Sequence, residues 1–433
     1  MKFLKNSLVL LAVLASGAAA TARAADSTAT VNGIAWTYFT LQRYGSDATE
    51  YYIGSEGNLP VIMTVGGSGG HVTNVTKQTA IDPSVSGSLD VPLFAGAGDT
   101  EVIGPYAFFG CTGLTNVTLP EGVSAIHPFA FSDCSNLVSV TFPSTLRSVS
   151  WRAFENCTSL REIHFSTPAS ATLDIGYRAF AGCTALEEVD LPFDATFSRN
   201  EHFPAGGNAG YECPHSFAGC TALRRVTVPA SLLVGDANEQ TGFRYAFSDV
   251  CAAVTSIVVR TGATDVGDYT FYACRAAVSV SLPPSVTNIG QRAFLGCTSL
   301  RDLALPSSLV SVGDFAFNGC SALDVSFPSG LASIGPNAFE GCSSLAAIAL
   351  PASLQTLGAH AFGNCTGAAS ISVPGTLTSV GYAAFDGCSA AATATLGAGL
   401  PAISGRMFRN CRSLASIAIP EGIASIGDSA FWG

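Results

Sequence analysis

Apolar residues recur along this chain with a long period. A Phe returns at 108, 131, 154, 180, 217, 247, 271, 294, 317, 339, 362, 385, 408 and 431, with most gaps between 22 and 24 residues. A Cys follows three residues after most of them. In the unit that opens at Ile289, Ala293, Phe294 and Cys297 fall at helical spacing and share one face of a single short turn. Leu300 follows. Leu303 and Leu305 then alternate, which predicts a short strand. Pro306 ends it, because proline has no N–H for a continued ladder. Leu309 and Val312 lead on to Gly313, where the next turn opens. Such repetition predicts a stack of like units, a repeat solenoid built mostly of β-strands with short helical turns. One unit cannot bury enough apolar surface to offset the entropy of ordering its backbone, so only a run of units is stable.

The run Cys297-Thr298-Ser299-Leu300-Arg301-Asp302-Leu303-Ala304-Leu305-Pro306, followed by Leu309, Val312-Gly313 and Ala316-Phe317, resembles the BspA-like leucine-rich repeat family of bacterial surface proteins. The resemblance recurs over residues 87–433. It implies a right-handed coil with a parallel sheet of short strands on one face, in about 14 units of which the last is incomplete. Ser308 stands where the broader leucine-rich pattern has Asn, Gly397 where Pro is usual, and Met407 where Ala is usual. Insertions interrupt the beat near residues 166–172, 193–214 and 234–244 and are expected to leave as surface loops. The chain stops at Phe431-Trp432-Gly433, inside a unit. It therefore reads as a fragment of a longer protein, the alternative being an end that packs on a partner or a second copy.

Residues 1–24 read as a secretory signal. Lys2 and Lys5 precede an apolar run from Leu8 to Ala15, and Ala22-Arg23-Ala24 offers small residues for cleavage before Ala25. The run is too short for a membrane anchor. Residues 25–86 lack the repeat. Trp36, Tyr38, Phe39, Tyr44, Tyr51 and Tyr52 make a β-prone run, Leu59 to Val65 reads as a further strand, and the region is expected to form a β-rich cap on the first repeat.

Charged residues make up only 12% of the chain and apolar ones 48%, which excludes disorder. Loss of Lys2, Lys5 and Arg23 with the signal takes the net charge from −11 to −14 and leaves Lys77 as the one lysine. That balance argues against nucleic acid and against an anionic membrane surface as partners. Thirteen of the 14 cysteines hold the repeat position. They can be read as disulfide staples or as a buried column of thiols. Their common direction into the core suits a disulfide poorly and favours thiols. Cys213, in the long insertion, is the exception and reads either as a free thiol or as a partner for Cys220.

Enzyme signals are weak. Gly66-Gly67-Ser68-Gly69-Gly70 fits a nucleophile elbow, but four glycines in five residues fit it by composition, and no helix pattern follows. Glu201, His202, Glu212, Cys213 and His215 are of metal-binding types, yet their spacing matches no tetrahedral site, so they read as solvated loop residues. No catalytic residue, metal or cofactor is assigned. The strand face is more informative. Residues flanking the middle apolar position of each strand point outward. Most are small or hydroxylic, such as Asn116, Thr118, Ser139, Thr141, Ser279 and Ser281. The charged exceptions are Glu162, His164, Glu188, Asp190 and Arg225. They form a candidate protein-docking patch, or else a solvated strand face. The expected function is binding of another macromolecule, with adhesion to host or neighbouring-cell proteins implied by the resemblance. The alternative is a spacer within a larger surface protein.

Overall fold

A computed structural model describes residues 27–31, 34–42, 49–55, 86–91, 100–104, 107–166, 172–192, 195–197, 215–233, 243–247 and 249–433. The signal segment, Leu59–Val65, the Gly66–Gly70 loop, Cys213 and most of the three insertions lie outside these residues. The chain forms two compact units, Met1–Leu223 and Arg224–Gly433.

Thirteen strands are described in the first unit: β1 (Ser27–Val31), β2 (Ile34–Gln42), β3 (Thr49–Ser55), β4 (Ser86–Asp90), β5 (Thr100–Ile103), β6 (Gly113–Thr118), β7 (Val123–Ile126), β8 (Ser139–Phe142), β9 (Ser148–Val149), β10 (Glu162–Phe165), β11 (Leu173–Ile175), β12 (Glu188–Asp190) and β13 (Ala195–Phe197). One sheet runs β4–β6–β8–β10, all parallel. A second runs β1–β2–β3–β5–β7–β9–β11–β13. Its strands pair in parallel from β3 onward, while β1, β2 and β3 extend it as an antiparallel meander. Each repeat, or rung, thus places one strand in each sheet and returns to the same seat.

The second unit repeats this plan with β14 (Arg225–Val228), β15 (Ser256–Val259), β16 (Asp265–Val266), β17 (Ser279–Ser281), β18 (Asn288–Ile289), β19 (Ser311–Val312), β20 (Ser333–Ile334), β21 (Ile348–Ala349), β22 (Thr356–Leu357), β23 (Ser370–Val373), β24 (Thr393–Leu396), β25 (Ala402–Ile403) and β26 (Ser425–Ile426). All described pairings among them are parallel.

The Phe beat becomes the spine of each core. In the first unit, Phe108, Phe131, Phe154, Phe180 and Phe217 stack face to face, with ring centroids 4.5, 4.9, 5.3 and 5.4 Å apart. In the second, Phe294, Phe317, Phe339 and Phe362 continue at 4.9, 5.0 and 5.3 Å. Offset stacks of this kind add to the free energy of burying the rings.

The turns around these phenylalanines are β-turns, and helix is almost absent from the described residues. The reason lies in where the amides go. Cys297 N–H bonds to the Phe294 carbonyl at 3.1 Å, closing a tight turn. Arg292, Phe294 and Gly296 N–H point instead to the next rung, at Asp314, Ala316 and Asn318 carbonyls (2.8, 2.7 and 2.8 Å). Donors that would feed an i−4 helix are spent between rungs.

Two details differ from the sequence expectations. The insertion near 193–214 contains β13, whose Phe197 is buried edge-on to Phe217, and the insertion near 234–244 ends in a short helix, Phe243–Ala246, whose Phe243 is buried. The cysteine column consists of eleven buried thiols, but Cys251 and Cys274 are bridged, with Cα atoms 4.6 Å apart. Cys251 follows its Phe by four residues instead of three, and its amide reaches back to Phe247 in an α-type bond. That shift takes its side chain out of the common direction.

From Cys134 onward each free thiol sits against a backbone carbonyl of the preceding rung, as Cys134 does at Phe108 (3.0 Å) and Cys320 at Phe294 (3.1 Å). Burial pushes the Cys134, Cys183, Cys320 and Cys342 thiols well up, and Cys411 to about 12. Because the thiolate is the nucleophile, iodoacetamide at neutral pH is expected to leave Cys134, Cys183, Cys320 and Cys342 unmodified in the native protein and to alkylate all four in guanidinium. Stoichiometric native labelling, read by peptide mass spectrometry, would contradict the buried column.

Candidate functional site

The β4–β6–β8–β10 sheet carries a seam of cross-strand polar contacts on its outer face. Asn116 Nδ2 donates to Ser88 Oγ at 3.1 Å, and Ser139 Oγ donates to Asn116 Oδ1 at 2.7 Å. In register with Ser139 stands Glu162 on β10, and with Thr141 stands His164. These two residues flank the buried Ile163 and face outward, with side chains 65% and 58% exposed. His164 Nε2 lies 3.2 Å from Glu162 Oε2. On β12, beside β10, Glu188 and Asp190 likewise flank the buried Val189 and are exposed. The structure thus brings Glu162 to His164 and sets Glu188 and Asp190 on one strand. Arg225 belongs to the second unit, where it opens β14 in an exposed seat opposite Ser256.

A different edge of the fold holds residues that the strand-face reading missed. Two positions before most of these Phe residues the backbone enters the left-handed region, as at Tyr269 (φ 58°), Arg292 (φ 55°) and Phe315 (φ 57°). Arg292 lies over both rings, 5.4 Å from Tyr269 and 5.1 Å from Phe315. Arg244 lies 4.9 Å from Tyr269 and 4.9 Å from Tyr272. Arg and aromatic groups therefore alternate along this edge, each guanidinium held flat by cation–π contact. In the first unit the same seats hold Phe129, Arg152 and Arg178, with Glu155 between the two arginines at 3.7 and 3.1 Å. Aligning the repeats on Phe would have revealed the column.

Beside this edge in the second unit an open groove of about 510 Å³ crosses β18, β19, β20 and β22. Its floor is Gly290, Gly313, Gly335 and Gly358, and Ser311, Ser333, Thr356 and Asp314 are among its walls. Two rungs before Asp314, Asp268 Oδ1 accepts the N–H of Gln291 in the rung that follows it, at 2.7 Å. The residue matching Gln291 in the rung after Asp314 is Pro336, which has no N–H. The Asp314 carboxylate accordingly makes no hydrogen bond to the described residues, nor do the Ser333 and Thr356 hydroxyls.

Among the described residues no group of three or more His, Cys, Asp or Glu is placed to hold a metal. His215 is described and packs edge-on to Tyr177, whereas Glu201, His202, Glu212 and Cys213 lie outside the described residues.

Stacked parallel strands, turns spent on inter-rung bonds and one apolar seat per repeat define a leucine-rich-repeat type β-solenoid. The family model for the BspA type leucine-rich repeat region matches residues 97–205, 242–325 and 311–433, in six copies. The chain belongs to that family. Solved structures similar to it include a leucine-rich repeat protein from Bacteroides ovatus, 23% identical, covering 82% of this chain and 93% of that one with a TM-score of 0.49. A leucine-rich cell surface protein from Faecalibacterium prausnitzii is 22% identical, covering 86% of this chain and 95% of that one with a TM-score of 0.27. The pneumococcal vaccine antigen PcpA is 16% identical, covering 94% of each chain with a TM-score of 0.31. No match to the chain was found among curated proteins.

Proposed function

We propose that this chain is a secreted or cell-surface repeat protein that binds another protein, in an adhesion-type contact, through the strand face of its first unit. The observation carrying this reading is the exposed charge at Glu162, His164, Glu188 and Asp190 on a face otherwise made of small polar groups. Charged groups at a rim chiefly set the partner's complementarity and its rate of approach. A predominantly acidic patch selects a partner with basic groups. The signal-like residues 1–24 support export. Among the described residues no helix is long and apolar enough to cross a membrane.

The test is capture by the mature chain against a variant with Glu188→Lys, Asp190→Lys and Arg225→Glu. A binder loses its captured partner at least tenfold in the variant, and more weakly so as salt rises, because exposed charges are screened. Equal capture by both proteins removes the assigned face, and capture by neither supports a spacer.

A further inference from the structure

We propose that the groove across β18, β19, β20 and β22 binds a neutral glycan chain, with Asp314, Ser333 and Thr356 as its hydrogen-bonding residues. This site is separate from the protein-docking face and does not depend on it.

The class of ligand follows from what lines the groove. No Lys, Arg or His is among the lining residues, so nothing there neutralises a phosphate, sulfate or uronate. A divalent cation would need several oxygen ligands, and Asp314 is the one carboxylate in the lining. An extended peptide would bind by adding to a strand edge. Here the strands are crossed, not flanked, and their amides are already used: Gly313, Gly335 and Gly358 N–H bond to Ile289, Val312 and Ile334 carbonyls at 2.8 Å each. What remains is one carboxylate with acceptor capacity for adjacent hydroxyls and two hydroxyls able to donate or accept. Ser311, Ser333 and Thr356 stand in register on neighbouring strands, so these groups recur at about 4.8 Å, the strand spacing. A repeating, uncharged, hydroxyl-rich polymer matches that array.

The walls are also rigid. A Cβ at Gly335 would lie 2.5 Å from Asp314 Oδ1, which shows how closely the carboxylate lies over the floor. Next in the chain, Phe315 is stacked against Arg292. A site held this way loses little entropy on binding.

The test is retardation of the full chain in native gels containing barley β-glucan, xylan or glucomannan. Retardation in at least one is expected, weakened fivefold or more in Asp314→Ala and again in Thr356→Val. Neither substitution removes a side-chain hydrogen bond among the described residues, so both variants are expected to keep the wild-type circular dichroism spectrum and unfolding midpoint. The Glu188→Lys, Asp190→Lys, Arg225→Glu protein is expected to be retarded as the wild type is. No retardation in any of the three, equal retardation of both groove variants, or retardation by dextran sulfate alone would overturn the assignment.

Discussion

Replacing Phe317 by Ala is expected to lower the unfolding free energy by about 3–5 kcal/mol. The ring is fully buried and stacked on both faces, at 4.9 Å from Phe294 and 5.0 Å from Phe339. Its removal leaves a void between two rungs that inter-rung hydrogen bonds hold at fixed spacing, so the walls cannot close in. Phe317→Leu restores most of the apolar volume and loses only the ring contacts, at roughly 0.5–1.5 kcal/mol for each stacked pair. The ordering Ala well below Leu, and Leu below wild type, is to be read from urea midpoints. An Ala variant within about 1 kcal/mol of wild type would show that the Phe column is not the spine of the stack.

Gly358→Ala is expected to destabilise by about 3 kcal/mol, at the upper end of what overpacking brings. The reason is contact, not backbone conformation. A Cβ there would lie 2.2 Å from the Pro336 nitrogen and 2.4 Å from the Gly335 carbonyl carbon, both main-chain atoms that no side-chain rotation can move aside. Gly422 provides the contrast. Its φ is +96°, yet a methyl group placed there would meet nothing within 4 Å. Gly422→Ala therefore meets only the left-handed backbone penalty of roughly 1–2 kcal/mol. Thermal midpoints of the two variants separate these causes. If Gly358→Ala melts no lower than Gly422→Ala, close approach is not what places glycine at the bend.

The stack itself was legible because a large apolar residue must return to the same buried seat in every rung, and Phe294, Phe317 and Phe339 do so in plain sight. The outward strand positions were legible for a similar reason. Once Ile163 and Val189 are known to point inward, their neighbours Glu162, His164, Glu188 and Asp190 must point out. Other features depend on what one rung sets beside another. The spacing of Ala293, Phe294 and Cys297 suits a helical turn and a β-turn alike, and the choice is made by carbonyls one rung away. Ala195–Phe197 is too short an alternation to stand out from the polar segment around it. Asp314 reads as an ordinary exposed acid until the stack sets Pro336 where its counterpart Asp268 finds the amide of Gln291. The Arg and aromatic seats at 269, 292 and 315 are periodic in the sequence, but the outward edge they share comes from a left-handed backbone that residues of this size rarely adopt.

Asn116 and Ser139 bond across 23 residues, and the same interval joins Asp265 to Asn288 and Asn288 to Ser311. Closing a loop of that length carries a small entropic penalty that does not grow with the number of rungs. A long, nearly all-β chain therefore has the low relative contact order of a much simpler topology. Refolding can nucleate at any well-formed pair of neighbours and spread outward in both directions, with each finished rung serving as template for the next.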